Sequence, residues 1–253
     1  MAMKQNLSVI LIAHNEEENI GKMIDGLLEY YNDSIGELIV IDDASQDNTS
    51  SIVESWQAKN HKIKLVKRQP PCGAGRALKT GFATLSPDAE YVLTMDSDFV
   101  ENIKEVRKLL EALEEKNYDG VIGSRFIKGS RRINYPFSKK VMNRMFHCIV
   151  RFVFRIKQRD LTNNFKLYRA SIFRNLPWKS NGFSINAETG LLPIIAGFKI
   201  GEVPISWIGR NSDMGKSKFN MLKSGLGYIN VIAYTWEFSR IRKNTNRLFP
   251  RAQ

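Results

Sequence analysis

The sequence predicts an α/β fold with a mostly parallel sheet that is flanked by helices. Short apolar runs typical of buried strands alternate with segments whose apolar residues recur at helical spacing, as at Ile20, Met23, Ile24 and Leu27. The apolar runs contain few polar residues, as expected of strands that are covered on both faces of a parallel sheet. The strict alternation of strand and helix indicates parallel strands joined by right-handed crossovers.

Five strands are predicted in the first half of the chain. Four are predicted at residues 7–13, 37–41, 63–66 and 119–123. A further strand begins at Tyr91 and ends in the segment Asp96-Ser97-Asp98. Asn15 is the predicted N-cap of the first helix, because its side chain is of the type that accepts a hydrogen bond from a helix's first turn. Residues 101–115 have the periodicity of an amphipathic helix.

Polar residues or glycines follow every one of these strands. They are Asn15-Glu16, Asp42-Asp43, Gly73 to Arg76, Asp96-Ser97-Asp98 and Ser124-Arg125. The carboxyl ends of parallel strands meet at one edge of a sheet, where α/β proteins bind ligands. The glycines either let the backbone approach a ligand closely or cap the next helix, and they match neither the dinucleotide fingerprint nor the P-loop. The pattern therefore predicts a ligand crevice at this edge.

Two carboxylates, Asp96 and Asp98, stand one residue apart at the end of an apolar strand. Side chains at this spacing project to the same side of an extended strand. Their mutual repulsion is relieved by a divalent cation, and Mg²⁺ and Mn²⁺ bind through one or two carboxylates together with substrate phosphate. The sequence thus predicts a Mg²⁺ or Mn²⁺ site, and the alternative is a solvated turn, since Asp and Ser are ordinary turn residues.

The net charge of +12 is divided unevenly along the chain. Residues 1–120 contain 13 Lys and Arg against 21 Asp and Glu, a net charge of −8, whereas residues 121–253 contain 25 against 5, a net charge of +20. The second half is therefore expected to face an anionic partner. Nucleic acid, a phospholipid surface and a phosphorylated substrate all meet this condition.

Residues 137–159 are predicted to form a basic amphipathic helix. On a helical wheel, one side holds Val141, Met145, Cys148, Ile149, Phe152 and Ile156. The other side is predicted to hold Lys140, Arg144, Arg151 and Arg155. This composition is typical of a helix on an anionic membrane surface, and the alternative is a core-packing helix with a solvated basic face. The tail, residues 219–253, is predicted to contain a second helix that lies on a surface or packs.

The expected location is cytoplasmic and peripheral at the membrane. No apolar run reaches the roughly 18 residues of a transmembrane helix, and the N-terminus lacks the apolar segment and cleavage site of a signal peptide. Cys72 and Cys148 match no zinc or disulfide spacing, which is typical of a reducing compartment.

An ordered set of motifs resembles glycosyltransferase family 2, in the branch of dolichol-phosphate mannose synthases and polyprenyl-phosphate sugar transferases. The motifs are Ile12-Ala13-His14-Asn15-Glu16, Asp42-Asp43-Ala44-Ser45-Gln46-Asp47, Gly73-Ala74-Gly75-Arg76-Ala77-Leu78, Asp96-Ser97-Asp98, Gly123-Ser124-Arg125, the segment Asp160 to Lys166, and Arg210 followed by Gly215-Lys216-Ser217-Lys218. The resemblance implies the GT-A fold, which is Rossmann-like. It also implies a catalytic domain at residues 1–218, containing helix 137–159, and a basic, membrane-associated helical tail at 219–253.

The resemblance implies a role for each motif. Catalytic roles are expected for Asp98, Arg125, Arg210 and Lys218, and we add Glu188, a carboxylate that orients the sugar or binds a helix N-terminus. The nucleotide sugar is expected to contact Ile12, His14, Glu16, Val40, Asp42, Asp43, Arg76, Asp96, Ser97, Asp98, Arg210 and Lys218. The acceptor phosphate is expected near Arg125, Arg131 and Lys139, and the metal on Asp96 and Asp98.

Four positions depart from the family's pattern. Ile12 replaces a proline, His14 an aromatic residue near the base, and Asn164 a glycine. Val100 stands where mannose synthases have a polar metal ligand, so the metal is expected to keep fewer protein ligands, with water, Glu101 or phosphate in the remaining positions.

The resemblance implies an inverting, metal-dependent transfer of a hexose, of the mannose or glucose type, from a nucleoside diphosphate sugar to a polyprenyl or dolichyl phosphate. A second possibility is transfer to a saccharide or protein hydroxyl. The hypothesis of a nucleic-acid-binding module rests only on the basic second half of the chain, which contains no recognisable nucleic-acid-binding motif.

Overall fold

The structure is a computed structural model that describes residues 6–208 and 221–245. Its strands are β1 (Leu7–Ala13), β2 (Ile35–Asp42), β3 (Ile63–Lys67), β4 (Tyr91–Asp96), β5 (Gly120–Ser124), β6 (Arg131–Ile133), β7 (Lys166–Arg169), β8 (Ile200–Pro204) and β9 (Ser206–Ile208). Its helices are α1 (Ile20–Tyr31), α2 (Thr49–Gln57), α3 (Ala74–Thr84), α4 (Val106–Glu115), α5 (Phe137–Phe154), α6 (Ala170–Asn175), α7 (Ile185–Ile195) and α8 (Met221–Thr245).

Seven strands form one mixed, mostly parallel sheet in the order β3-β2-β1-β4-β7-β5-β8. The five predicted strands are all present, and the predicted parallel pairing is confirmed between β1 and β2, β1 and β4, and β2 and β3. β7 is the exception, because it runs antiparallel to both β4 and β5. β6 and β9 pair separately as a short two-stranded parallel ribbon.

The core lies on both faces of the sheet, as the apolar strands predict. Along β1, Ile10 packs into one buried cluster together with Phe82 of α3. Its neighbours Val9 and Leu11 pack into the other cluster, which includes Met23 of α1. Because successive strand residues face opposite sides of the sheet, a strand with almost no polar residues is buried on both faces.

The start of the first helix differs from the prediction. α1 begins at Ile20, so Asn19 occupies the N-cap position, and Asn15 instead adopts a positive φ of 55° in the loop before it. The side-chain oxygen of Asn15 accepts a hydrogen bond from the backbone of Gln46 at 2.8 Å. Asn15 therefore joins two loops rather than capping a helix, a long-range bond that local sequence does not reveal. The predicted helix 101–115 is likewise divided, into a 3₁₀ helix at Val100–Glu105 and then α4.

α5 packs on the protein through a face that was not predicted. Its buried residues are Asn143, Phe146, His147 and Val150, and the predicted apolar residues within the helix are exposed instead. The helix ends at Phe154 rather than at 159, so Ile156 lies beyond it and packs, partly buried, against the core. The exposed fraction reaches 61% at Met145 and 87% at Phe152. At about 100° per residue, Arg144 and Arg151 lie at one flank of this exposed stripe, and the buried residues lie opposite it. The predicted placement of the basic residues opposite the stripe was therefore wrong.

α8 packs beside α5 and the core. The ring of Tyr228 lies 5.0 Å from that of Phe146, centroid to centroid, and Val231 is fully buried. Leu226, Ile229 and Trp236 on the same helix are exposed. Within the ranges that the structure describes, no helix is both long and apolar enough to span a bilayer.

Candidate active site

The polar strand exits meet at one edge of the sheet, as predicted. The strand register places Ile12 of β1 beside Asp96 of β4, and Ala13 beside Asp42 of β2. The Ser97 hydroxyl donates a 2.9 Å hydrogen bond to the backbone oxygen of Ile12. This bond fixes the residue between Asp96 and Asp98 against the neighbouring strand.

Asp96 and Asp98 form a pair of carboxylates at the centre of this edge. Burial, and then the charge of Asp98, raise the pKa of Asp96 to about 6. Within residues 6–208 and 221–245, no cluster of three His, Cys, Asp or Glu side chains is placed to hold a metal ion. Two carboxylate donors nevertheless fit Mg²⁺ or Mn²⁺, hard cations that keep water and phosphate oxygens as their other ligands.

The loop that follows β2 is fixed by hydrogen bonds to two acidic residues at the end of the strand. The Asp42 carboxylate accepts hydrogen bonds from the backbone of Ser45, at 2.9 Å, and from the hydroxyl of Ser50. Asp43 forms an ion pair with Arg68 and accepts the backbone N–H of Gly73 at 2.6 Å. Both carboxylates are almost fully buried. They thus shape the loops around the site, and a direct contact with a nucleotide remains a prediction.

The remaining residues expected at the nucleotide have unequal access. His14 lies at the same edge, where its Nδ1 is 2.8 Å from the backbone oxygen of Asp43. The backbone N–H of Glu16 donates to the Thr49 hydroxyl at 2.8 Å. Val40, in contrast, is fully buried in the core between sheet and helices, so its side chain is not available to a ligand.

The glycine turn is covered by a loop of the second half of the chain. A Cβ atom added at Gly75 would overlap the backbone carbonyl of Ser180, so the glycine permits close approach of protein backbone. The N–H of Arg76, in the first turn of α3, donates to the carbonyl of Asn181 at 3.2 Å. Gly73 occupies the N-cap position of α3, which agrees with the predicted capping role, whereas close approach of these glycines to a ligand remains a prediction.

Glu188 holds the loop that covers this turn. Its carboxylate is fully buried and accepts the backbone N–H groups of Lys179, at 2.6 Å, and Ser180, at 2.7 Å. These contacts place the Asn181 carbonyl over α3. Glu188 also lies in the first turn of α7, in agreement with the predicted alternative of a helix N-terminus, and a contact with the sugar remains a prediction.

Arg125, at the exit of β5, is paired with a buried carboxylate. Its guanidinium donates two hydrogen bonds to the Asp160 carboxylate and its backbone N–H donates a third. Its Nη2 also lies 3.1 Å from the Thr162 hydroxyl. Burial alone raises the pKa of Asp160, but the Arg125 guanidinium outweighs burial and holds that pKa below its usual range. Of the other residues expected at the acceptor phosphate, Arg131 is exposed on β6 and Lys139 is half-buried in the first turn of α5.

Lys166 is a buried cation that was not predicted as a site residue, although it ends the motif that begins at Asp160. Its ammonium group donates to the backbone oxygens of Asn163 and Asn186 and to the hydroxyl of Thr189. Burial lowers the pKa of Lys166 to about 7, against the opposing attraction of Asp160 and Asp96. The signal for it was a lysine between the buried residues Phe165 and Leu167. Arg210 and Lys218 lie outside the described residues.

Comparison with known proteins gives three kinds of match. The sequence profile of the family "Glycosyl transferase family 2" matches residues 8–176. The chain is 27% identical over 241 residues to an undecaprenyl-phosphate mannosyltransferase from Micrococcus luteus, covering 92% of this chain and 97% of the relative. It is 28% identical over 220 residues to a dolichyl-phosphate hexose transferase from Haloferax volcanii, covering 87% of this chain and 89% of the relative.

Among solved structures, the fold is similar to that of glucosyl-3-phosphoglycerate synthase from Mycobacterium tuberculosis. One structure of that enzyme, a complex with Mn²⁺, UDP-glucose and phosphoglyceric acid, superimposes with a TM-score of 0.68 at 19% identity. The match covers 93% of this chain and 79% of the other. At this identity the match bears on the fold alone, which is GT-A-like.

Proposed function

The chain belongs to glycosyl transferase family 2, and from this premise we propose that it moves a hexose from a nucleoside diphosphate sugar to a polyprenyl phosphate. The observation that carries the proposal is the Asp96 and Asp98 pair at the ligand edge of a family 2 fold. Two relatives that match along most of their length are named for transfer to undecaprenyl and dolichyl phosphate.

Departure of the nucleoside diphosphate is the step that the carboxylate pair serves. A divalent cation held by Asp96 and Asp98 would supply Lewis-acid stabilisation for the leaving diphosphate. The structural relative has been solved as a complex with Mn²⁺ and UDP-glucose, the kind of cation and donor that this proposal requires. Arg210 and Lys218 are proposed to neutralise the same developing charge, and His14 and Glu16 to contact the nucleoside. Attack by the acceptor on the opposite face of the sugar inverts the anomeric configuration.

A lipid phosphate fits a site that is rich in cations. A phosphate monoester has a second pKa of about 6, so it is already ionised near neutral pH and needs positioning rather than a general base. Arg125, Arg131 and Lys139 are proposed to position it, in agreement with the net charge of +20 in residues 121–253. Arg125 would do so while it remains paired with Asp160.

The exposed stripe of α5 supports attachment to the membrane that contains such an acceptor. Phe137 and Phe152 are largely exposed, and basic side chains stand at the flank of the stripe. An amphipathic helix inserts its apolar side between lipids while flanking Lys and Arg reach the headgroup phosphates. The proposed location is therefore the cytoplasmic face of the membrane, with α5 in the interface.

The test is a direct assay of the purified protein. GDP-, UDP- and dTDP-hexoses with Mn²⁺ are screened for thermal stabilisation, because a bound donor raises stability by mass action. The stabilising donor, with radiolabelled hexose, is then offered to polyprenyl phosphate. Label in the lipid phosphate supports the proposal, whereas label on a saccharide or protein hydroxyl would show that the acceptor is a hydroxyl group. Salt-sensitive binding to nucleic acid, with no stabilisation by any donor, would show that the protein binds nucleic acid instead.

A further inference from the structure

Asn164 is a buried amide in direct contact with the carboxylate pair. It precedes β7, and its Nδ2 donates a 2.9 Å hydrogen bond to Oδ1 of Asp96 across 68 positions of sequence. Its backbone oxygen accepts the hydroxyl of Thr94, on the neighbouring strand, at 2.6 Å. Both the backbone and the side chain of Asn164 are thereby fixed against the end of β4.

The side chain has little freedom to leave this position. Asn164 is only 1% exposed. The residues on either side of it are also buried: the side chain of Asn163 donates to the backbone oxygen of Gly123 at 2.7 Å, and Phe165 is in the core. A side chain that is locked in this way holds the carboxylate it touches in one orientation.

The amide oxygen of Asn164 is the second relevant observation. This oxygen is buried and has no hydrogen-bond partner among the described residues. Rotating the amide by half a turn does not satisfy it, because its oxygen would then face the oxygen of Asp96. An unpartnered buried amide oxygen costs free energy unless an electrophile or a water approaches it. Amide oxygens are ordinary ligands of hard divalent cations.

Phe99 and Val100, the two residues that directly follow the carboxylate pair, are apolar and supply no such oxygen from their side chains. Nor does a third His, Cys, Asp or Glu complete a group with Asp96 and Asp98 in the described parts of the chain. We propose that Asn164 is the third protein group of the cation site. Its NH₂ orients Asp96, and its oxygen faces the cation directly or through one water. The inference rests on the metal dependence in the proposed function.

The experiment measures cation binding by the full chain without substrates. Mn²⁺ is titrated into wild type and Asn164→Leu, and free Mn²⁺ is followed by electron paramagnetic resonance. Removing a group that orients a ligand carboxylate typically weakens metal binding by about 10- to 100-fold, which is the expected loss. Asn163→Leu is the matched control, because Asn163 is equally buried and also loses one hydrogen bond, to Gly123. Both variants should melt at a lower temperature, but only Asn164→Leu should bind Mn²⁺ more weakly.

A second variant covers the case in which Asn164→Leu does not fold. Asn164→Asp keeps the shape but sets a third carboxylate against Asp96, so its melting temperature should rise more on addition of Mn²⁺ than that of wild type. Equal Mn²⁺ affinity in wild type and Asn164→Leu, an equal rise in wild type and Asn164→Asp, or no binding by wild type each overturns the inference. Transfer to lipid phosphate is measured separately, so loss of the proposed function and loss of this inference are distinguishable.

Discussion

Arg125 and Asp160 form a buried, two-pronged ion pair, with Nε 2.7 Å from Oδ2 and Nη2 2.8 Å from Oδ1. The Asp160 side chain is fully buried. The pair joins the exit of β5 to the segment that continues through Asn164 to Asp96. An arginine that sequence motifs assign to substrate therefore also holds the protein together at the site.

Replacing one partner of this ion pair should destabilise the protein strongly. Arg125→Ala leaves the Asp160 carboxylate buried without its counter-charge, and we expect the free energy of unfolding to fall by about 3 kcal/mol or more. Urea unfolding measures the change. Changing Arg125 and Asp160 together should cost less than the sum of the two single changes. Arg131→Ala is the control, because Arg131 is exposed, and a similar loss in that variant would contradict the expectation.

The carboxylate pair can be tested through Asp98. Asp98→Asn should lower turnover by about 10²-fold or more while the fold survives, because it removes a charge that would hold the cation at the leaving diphosphate. Product formation and circular dichroism are the two measurements. EDTA should abolish wild-type turnover, and Mn²⁺ should restore it. Asp88→Asn changes an exposed carboxylate elsewhere and should leave turnover unaltered. Full activity in EDTA would refute the metal assignment.

Arg210 and Lys218 are expected to act on the transition state. Arg210→Ala and Lys218→Ala should each lower kcat by about 10²-fold if they neutralise charge that develops as the diphosphate leaves. Steady-state kinetics with the preferred donor separates kcat from KM. Lys216→Ala, in the same segment, is the control. A rise in donor KM at unchanged kcat would instead indicate equal binding of substrate and transition state.

His147 should make stability depend on pH. Its Nδ1 lies 2.6 Å from the backbone oxygen of Asn143, and its Nε2 accepts the N–H of Leu161 at 2.8 Å, so the folded protein holds a neutral imidazole. Burial lowers the pKa of His147 below the ordinary 6.5. The unfolded chain thus binds this proton more readily, and the stability present above about pH 6.5 is lost as the pH falls.

The variant His147→Gln isolates this contribution. Urea unfolding at pH 7.5, 6.5 and 5.5 should show a smaller loss of stability on acidification in the variant than in wild type. Comparison with wild type at each pH cancels the titration of groups that both proteins share. His61→Gln, at an exposed position, should retain the wild-type pH dependence. Parallel profiles for wild type and His147→Gln would show that His147 does not titrate in this range.

Membrane attachment should depend on the basic flank of α5. Each Lys or Arg near an anionic bilayer contributes on the order of 1 kcal/mol, so replacing four should release the protein from anionic liposomes. The residues replaced by Gln are Lys140, Arg144 and Arg151 of α5 and Arg155, which directly follows the helix. A control removes equal charge from exposed positions of the first half, namely Lys22, Lys59, Lys67 and Lys104. Co-sedimentation at low and high salt is measured, because the Debye length falls from about 10 Å at 0.1 M to about 3 Å at 1 M.

The apolar stripe of α5 makes a separate contribution to that binding. Changing Phe137 and Phe152 to Gln should weaken co-sedimentation at both salt concentrations, since insertion of apolar surface is not screened by ions. Tyr30→Gln, at another exposed aromatic residue, serves as the control.

Two outcomes would show that the charges do not hold the protein at a bilayer. One is equal sedimentation of wild type with neutral and anionic vesicles at both salt concentrations. The other is equal sedimentation of wild type and of the variant with the four basic residues replaced.

The sequence by itself determined the sheet edge on which the site is built. Apolar runs fixed where β1, β2 and β4 lie, and strict alternation with helices made them parallel. Parallel strands end at the same edge, so the convergence of Asp42 and Asp96 followed from spacing alone. At these positions the local apolar pattern and the long-range structure agree, because an apolar run both favours a strand and is buried in the middle of the sheet.

Only the tertiary structure decided which groups surround those carboxylates. β7 enters the sheet antiparallel between β4 and β5, and this insertion brings Asn164 to Asp96 and closes Arg125 on Asp160. The α5 stripe, most of which helical periodicity identified, is left exposed because the opposite face of the helix makes the buried contacts, through Asn143, Phe146, His147 and Val150. Such contacts join residues far apart in sequence, and their free energy depends on burial and exact distance, which periodicity and spacing do not encode.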